Sequence, residues 1–253
     1  MELYHKKMGS GQPLIILHGL FGSSDNWLTH AKRLSEYFEV YLVDQRNHGR
    51  SEWSEEFNYK LLAQDLNEFI SKEGLEDFIL MGHSMGGKTA MTYAQEHEDL
   101  IDKLIIVDMG VKGYPIHHDR ILEGLKALDV STIKSRGEAA DKLAEYIDNE
   151  AIRQFLLKNL YWKEKGLLGW RINIPVLDEK LPEIVKPLPF KELLTTTLFM
   201  RGGQSNYILE EDEEEIKRYF PLAEIHTIEH AGHWIHAEAP EEFITEVIGF
   251  SLR

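Results

Sequence analysis

The chain has 253 residues, 43% of them hydrophobic, a formal net charge of −15 and no cysteine. The length suits one medium-to-large globular domain with room for an inserted subdomain. The missing cysteines exclude disulfides, thiol nucleophiles and cysteine metal sites, and the acidic balance opposes nucleic acid, whose phosphates call for lysine and arginine patches. No apolar stretch reaches the ~18–20 residues that cross a bilayer, and the opening MELYHKKMGSGQP lacks the apolar core of a secretory signal. A cytoplasmic protein without a membrane partner is therefore expected.

In chain order, short apolar runs first alternate with amphipathic stretches. PLIIL (13–17) precedes a helical pattern near 25–36, FEVYLV (38–43) precedes one near 58–73, FILMG (78–82) leads into one at 85–97, and KLIIVD (103–108) closes the series. Near-continuous apolar strands separated by helices are what a parallel sheet covered on both faces requires. From 110 to 190 helical periodicity takes over in ILEGLKALDV, AADKLAEYID and AIRQFLLKNLYW, followed by an irregular GWRINIPVLDEKLPEIVKPLP with four prolines. Strand–helix alternation then returns with TTTLFMRG (195–202), a helix near 211–220, AEIHTI (223–228) and a last helix near 240–252. The pattern predicts an α/β fold: a core of residues 1–109 and 191–253 with a helical cap, 110–190, inserted between two strands. Phe155, Leu156, Leu160, Tyr161, Trp162 and Trp170 are the cap side chains expected to line a pocket or to pack the cap on the core.

The stretch LMGHSMGGKTA (80–90) places Ser84 between Gly82 and Gly86, after a strand and before a helix. Chance alone gives G-x-S-x-G in roughly one chain of this length in ten, so the context must decide. A strand–turn–helix corner of this type lifts a serine hydroxyl above the end of a sheet. Serine is a poor nucleophile without a histidine base and a carboxylate to orient it. Among twelve histidines, His233 stands out, because EHAGHWIHAEAP joins the last strand to the last helix; His230 and His236 are read as loop or orienting residues. The Met85 N–H, at the start of a helix, is the first candidate oxyanion donor. The second is the Leu20 N–H in HGLFGSSDNW (18–27), with Phe21 in reserve and a buried His18 holding the loop.

HGLFGS, DQRNHGRS (44–51), GHSMGGK (82–88), RGGQSNY (201–207) and AGHWIHAEAP (231–240), with the cap phrase RINIPVL (171–177), resemble the α/β-hydrolase superfamily. More closely, they resemble bacterial YbfF-type carboxylesterases and the animal abhydrolase-domain 11 proteins. Many members of the superfamily carry the triad acid in the loop after the strand that follows the cap. Here that loop reads RGGQSNYIL, with Ser205 in the acid's place and Glu210 and Glu211 belonging to an acidic helix start. The resemblance implies the other route: Asp108, at the end of the strand before the cap, with Ser205 assisting or serving as an ordinary turn residue. It also implies a serine hydrolase of carboxylic esters that works without cofactor, and the apolar cap suggests short-to-medium acyl chains, with thioesters as a further option.

Other features are given structural readings. Asp44, Arg46 and His48 are expected to be scaffold, Asp65 and Asp77 to lie on helical or loop surfaces without a role, and the EEDEEE run (210–215) to be a solvated helix start. His117, His118 and Asp119 form the one dense cluster of metal-ligating types, without a metal signature. A carbon–carbon bond hydrolase or lyase of the same fold is the alternative, for which Arg120, Arg136 or Arg171 would face an anionic substrate. A cofactor-free perhydrolase side activity and a non-catalytic ligand binder are further rivals. A monomer or small homo-oligomer acting on a small-molecule ester is expected.

Overall fold

The computed structural model describes residues 1–116, 118–189 and 191–253. Its strands are β1 (His5–Gly9), β2 (Pro13–Leu17), β3 (Glu39–Val43), β4 (Phe78–His83), β5 (Ile101–Val107), β6 (Leu160–Glu164), β7 (Leu167–Trp170), β8 (Thr196–Gly202) and β9 (Ala223–Ile228). The helices up to β5 are α1 (Leu28–Leu34), α2 (Tyr59–Glu73) and α3 (Met85–His97). Between β5 and β8 lie α4 (Asp119–Ala127), α5 (Arg136–Ala144), α6 (Glu150–Leu157), α7 (Ile174–Glu179) and α8 (Leu181–Val185). After β8 come α9 (Glu213–Tyr219), α10 (Ile235–Glu238) and α11 (Pro240–Ser251).

Seven strands among the described residues form one sheet in the order β1-β3-β2-β4-β5-β8-β9. All neighbours are parallel except β1, which runs antiparallel to β3. Strands β2, β4 and β5 are apolar and almost wholly buried because helices cover both faces. One face packs Leu66, Phe69, Tyr93 and Ile216 from α2, α3 and α9, with Phe220 just after α9. The other packs Ala31, Leu34, Phe243, Val247 and Phe250 from α1 and α11. Chain order reverses between β2 and β4, and at such a switch point the loops leaving the strands' carboxyl ends part to leave a crevice.

Register sets which loops meet there. His83 pairs with Val107, so Ser84 and Asp108 follow neighbouring strand ends. Val107 pairs with Met200 and Gly202 with Ile228, which brings the loops after β8 and β9 alongside.

A third apolar cluster belongs to the segment between β5 and β8. Leu122, Leu125, Leu143, Leu156, Leu177 and Leu181 pack together and onto Phe21, Tyr59, Leu62 and Met85. Two expectations for this segment are corrected. The helix over AIRQFLLKNLYW stops at Leu157, and Leu160–Glu164 is instead a strand paired with β7. Gly166, at φ 83°, closes the hairpin between them, a backbone that only glycine adopts without cost. The proline-rich stretch read as irregular holds α7 and α8, with Pro175 and Pro182 in their first turns, where a missing N–H costs nothing. Strand β1 is not marked in the sequence either: HKKMG is mostly polar and lies at the sheet edge, where lysines suit an unpaired strand side.

Candidate active site

Ser84 sits at φ 53° and ψ −119°, a conformation that L side chains rarely adopt, between the last residue of β4 and the first of α3. The flanking glycines make the corner possible. A Cβ on Gly82 would lie 2.2 Å from the Gly86 carbonyl oxygen, and one on Gly86 would lie 2.4 Å from that of Leu17. The same close approach presses the start of α3 against the end of β2, where the 18–27 loop begins. The Ser84 N–H donates to the Val107 carbonyl at 3.0 Å, tying the elbow to β5.

Asp108 continues β5 by one residue and then leaves it at φ 46°, another left-handed non-glycine position. Its N–H donates to the Met200 carbonyl at 2.8 Å, and its side chain is fully buried. Oδ1 accepts from the Gly202 N–H at 3.1 Å, and Oδ2 accepts from the Ser205 hydroxyl and from His233 Nδ1, the latter at 2.7 Å. Burial raises the Asp108 carboxyl from 3.8 to about 6, and the Ser205 and Gly202 hydrogen bonds oppose that rise. With Nδ1 donating to Asp108, a neutral His233 presents Nε2 as its acceptor.

The His233 ring is held from several sides. Tyr207 stacks on it at 3.8 Å between centroids and 15° between planes. His83 Nε2 donates to the His233 carbonyl at 2.9 Å, and burial keeps His83 neutral, lowered to about 3. Tyr114 Oη donates to the Tyr207 carbonyl at 2.9 Å and accepts from the Gly110 N–H at 2.7 Å, joining the turn after β5 to the loop after β8.

The 18–27 loop is fixed by neutral histidines. His18 Nδ1 donates to the Gly19 carbonyl at 2.8 Å, while Nε2 accepts from the Gln45 N–H at 3.0 Å. His48 Nε2 accepts from the Phe21 N–H at 3.2 Å, so the reserve oxyanion donor is already engaged. Burial lowers His18 to about 4 and His48 to about 3. Asp44 accepts from the Ser24 and Arg50 N–H groups. Asp65 corrects its surface reading: it is buried and takes a two-pronged ion pair from Arg46, at 2.6 and 2.9 Å. Asp77 lies in the turn before β4 at φ 49°, its carbonyl accepting from Gln12.

Ser84 and His233 face a common cavity of about 260 Å³, whose walls include Leu20, Phe21, Phe155, Leu156 and Trp234. Size alone does not select it, since a cleft of about 680 Å³ beside the amino terminus is lined by Met1, Glu2, His5 and Lys72 and has no serine in its lining. Of the expected pocket residues, Phe155 and Leu156 reach the cavity. Leu160 is buried in the third cluster, Tyr161 and Trp170 border a separate surface groove, and Trp162 is half exposed.

The three arginines are also elsewhere. Arg120 pairs with Glu123 on the surface, Arg136 donates to the Leu160 carbonyl and Arg171 lies over the Tyr161 ring at 4.5 Å. His236 is buried and stacked on Trp27 at 4.2 Å, and exposed His230 is 3.4 Å from Glu242. Glu210 and Glu211 are exposed, whereas Asp212 departs from the solvated reading of its run: it is buried, bonded to Lys112 and the Leu209 N–H. His117 lies outside the described residues, and among those described no group of three potential ligands could hold a metal ion.

Residues 12–130 match the family described as alpha/beta hydrolase fold. The sn-1-specific diacylglycerol lipase ABHD11 of Danio rerio is 37% identical over 254 residues, spanning 96% of this chain and 79% of that protein. The chain belongs to the α/β-hydrolase family. This α/β hydrolase is also 35% identical to esterase YbfF of Escherichia coli (strain K12), over 94% of its own length and 92% of that protein. A solved marine microorganism esterase superposes with a TM-score of 0.95 at 43% identity, covering 98% of this chain and 99% of the other. No helix among the described residues is long and apolar enough to cross a membrane.

Sequence reading passed over Tyr207, Trp234, His118, Ile121 and Ile152, all of which line the cavity. Trp234 and Tyr207 stand inside the diagnostic phrases, whose spacing gives neither a role. His118 stands in the sequence only within a cluster of metal-ligating types, and the two isoleucines lie on amphipathic helices whose apolar faces serve both packing and pocket.

Proposed function

We propose that this α/β hydrolase cleaves carboxylic esters through Ser84, His233 and Asp108. The observation that carries the reading is the 2.7 Å contact of His233 Nδ1 with buried Asp108, on a histidine that shares an apolar cavity with the strained Ser84. His233 Nε2 takes the Ser84 proton as Oγ attacks the ester carbonyl, and Asp108 fixes the tautomer and stabilises the imidazolium. The Leu20 and Met85 N–H groups bind the oxyanion, each worth on the order of 3 kcal/mol of barrier. His233 then protonates the departing alcohol, and water, activated in the same way, releases the acid from the acyl-enzyme. Ser205 assists by donating to Asp108 on the side away from Gly202.

Residues 110–190 serve as a cap on a core of 1–109 and 191–253, a division supported by the third apolar cluster. Location in the cytoplasm is part of the proposal, supported by the absence of cysteine. Hydrolysis of p-nitrophenyl acetate and covalent labelling by an organophosphonate test the core claim. Both are expected in the wild type, with both lost in Ser84→Ala. Labelling without hydrolysis of any ester would favour carbon–carbon bond cleavage, and loss of neither in Ser84→Ala would remove the nucleophile from the scheme.

A further inference from the structure

The proposed ester hydrolysis leaves open which half of the ester is selected, and two unequal chambers at Ser84 bear on that. The first is the cavity of about 260 Å³ that His233 lines. It shares Ile152, Phe155 and Trp234 with an outer cleft of about 680 Å³ between α6 and the α1 and α10 region. The second chamber is only about 20 Å³. Leu20, Met85, Tyr59, Met109, Ile184 and Tyr207 are among its walls, and His233 is not.

The chemistry assigns the halves. The departing oxygen takes its proton from His233, so the alcohol lies on the His233 side. The acyl tail extends from the carbonyl the other way, past the two oxyanion donors Leu20 and Met85, into the small chamber. A site for one water-sized group needs about 10–15 Å³ of such volume, so the chamber holds one or two carbon-sized groups. Its far wall cannot yield easily: Tyr59 Oη donates to the Ile184 carbonyl at 2.8 Å, and both side chains are buried in the third cluster.

We infer that this enzyme is selective for acetyl and propionyl esters of bulky alcohols, with Ile184 on α8 setting the acyl limit. The inference rests on the ester-hydrolase reading and narrows its short-to-medium acyl range to the shortest members.

Two ester series test it on the purified full chain. One keeps p-nitrophenol and lengthens the acyl group from acetyl to octanoyl; the other keeps acetyl and enlarges the alcohol from ethyl through phenyl to naphthyl. The expected kcat/KM falls at least tenfold between propionyl and hexanoyl, and holds or rises as the alcohol grows. Ile184→Ala, which removes three carbons from the wall, is expected to move the acyl optimum to butyryl or longer. Equal or better rates on octanoyl than on acetyl esters in the wild type would overturn the inference, while leaving the hydrolase reading intact. An unchanged acyl profile in folded Ile184→Ala would remove that residue as the limit. Absence of turnover on every ester would instead strike the proposed function itself. If Ile184→Ala does not fold, the two wild-type series still decide the chamber assignment.

Discussion

Asp108 carries an unusual load for one side chain, because it is fully buried, lies at positive φ and receives hydrogen bonds from Gly202, Ser205 and His233. Replacing it with asparagine keeps the shape but offers His233 an amide in place of a charged acceptor, so the imidazole loses its tautomer preference. A loss of kcat on the order of 10⁴ is expected, measured with p-nitrophenyl acetate. Ser205→Ala acts more gently and through pH. Burial already puts the carboxyl at about 6, and the Ser205 hydrogen bond is among the influences holding it down. In the proposed mechanism an Asp108 protonated below that value cannot stabilise the imidazolium, so kcat/KM is expected to fall as pH falls through about 6. Without the hydroxyl the carboxyl titrates higher, and the acid limb of the profile moves up. A hydrogen bond to a charged group is worth about 1.5–3 kcal/mol, so kcat/KM near pH 6 is expected to drop on the order of tenfold, with recovery at higher pH. A uniform loss at all pH values would instead make Ser205 a turn residue. Ser84 and His233 were legible as candidates because each stood in a phrase whose spacing suits that chemistry, and the structure places both on one cavity. The acid was not legible from spacing alone, since strand-end aspartates and loop carboxylates look alike until the register brings Val107 beside Met200.

Lys88 shows at the scale of the element what a helical pattern hides. Four residues after Ser84 on α3, it is buried between the rings of Tyr59 and Tyr114, at 5.7 and 5.1 Å. Its ammonium donates to the Lys186 carbonyl at 2.6 Å and approaches those of Val185 and Ile184 at 3.3 and 3.4 Å. These are the carbonyls that α8 leaves without an intrahelical partner, and the negative end of a helix favours a cation. The lysine thus clips α8, and with it the wall of the small chamber, onto the core. Lys88→Met keeps the volume but strips the Lys186 carbonyl of its donor, while those of Ile184 and Val185 keep the Tyr59 hydroxyl and the Tyr114 N–H, at an expected cost of about 1–3 kcal/mol in urea unfolding. A second readout separates a local from a global effect: cleavage by a nonspecific protease within 180–190 is expected to accelerate more than cleavage elsewhere. Unchanged stability together with unchanged cleavage would mean that packing alone holds α8. The hairpin of β6 and β7 was hidden for a related reason: its strands have five and four residues, too short for a period of two to show beside LLKNLYW.

For the whole molecule, the sheet was legible because strands buried on both faces must be apolar throughout, and few other structures write that pattern. The edge strand β1 was not, because an edge is defined by what fails to pair with it. Charge is the other property that belongs to the whole chain, and it bears on where the substrate is met. With 43 acidic and 28 basic side chains, the molecule is expected to be repelled by anionic bilayers, where each lysine or arginine contributes about 1 kcal/mol of attraction and each acid opposes it. The opposing feature is a pair of half-exposed tryptophans, Trp53 at 51% and Trp162 at 50%, a residue type that favours membrane interfaces. Two such rings do not form the apolar face that interfacial helices use, and the charge balance is expected to win. In flotation with phosphatidylserine-rich vesicles at low salt, where electrostatics is least screened, the protein is expected to stay in the dense fraction. If it floats, and Trp53→Ala with Trp162→Ala abolishes flotation, the tryptophans outweigh the charge and the ester is collected from a lipid surface rather than from solution.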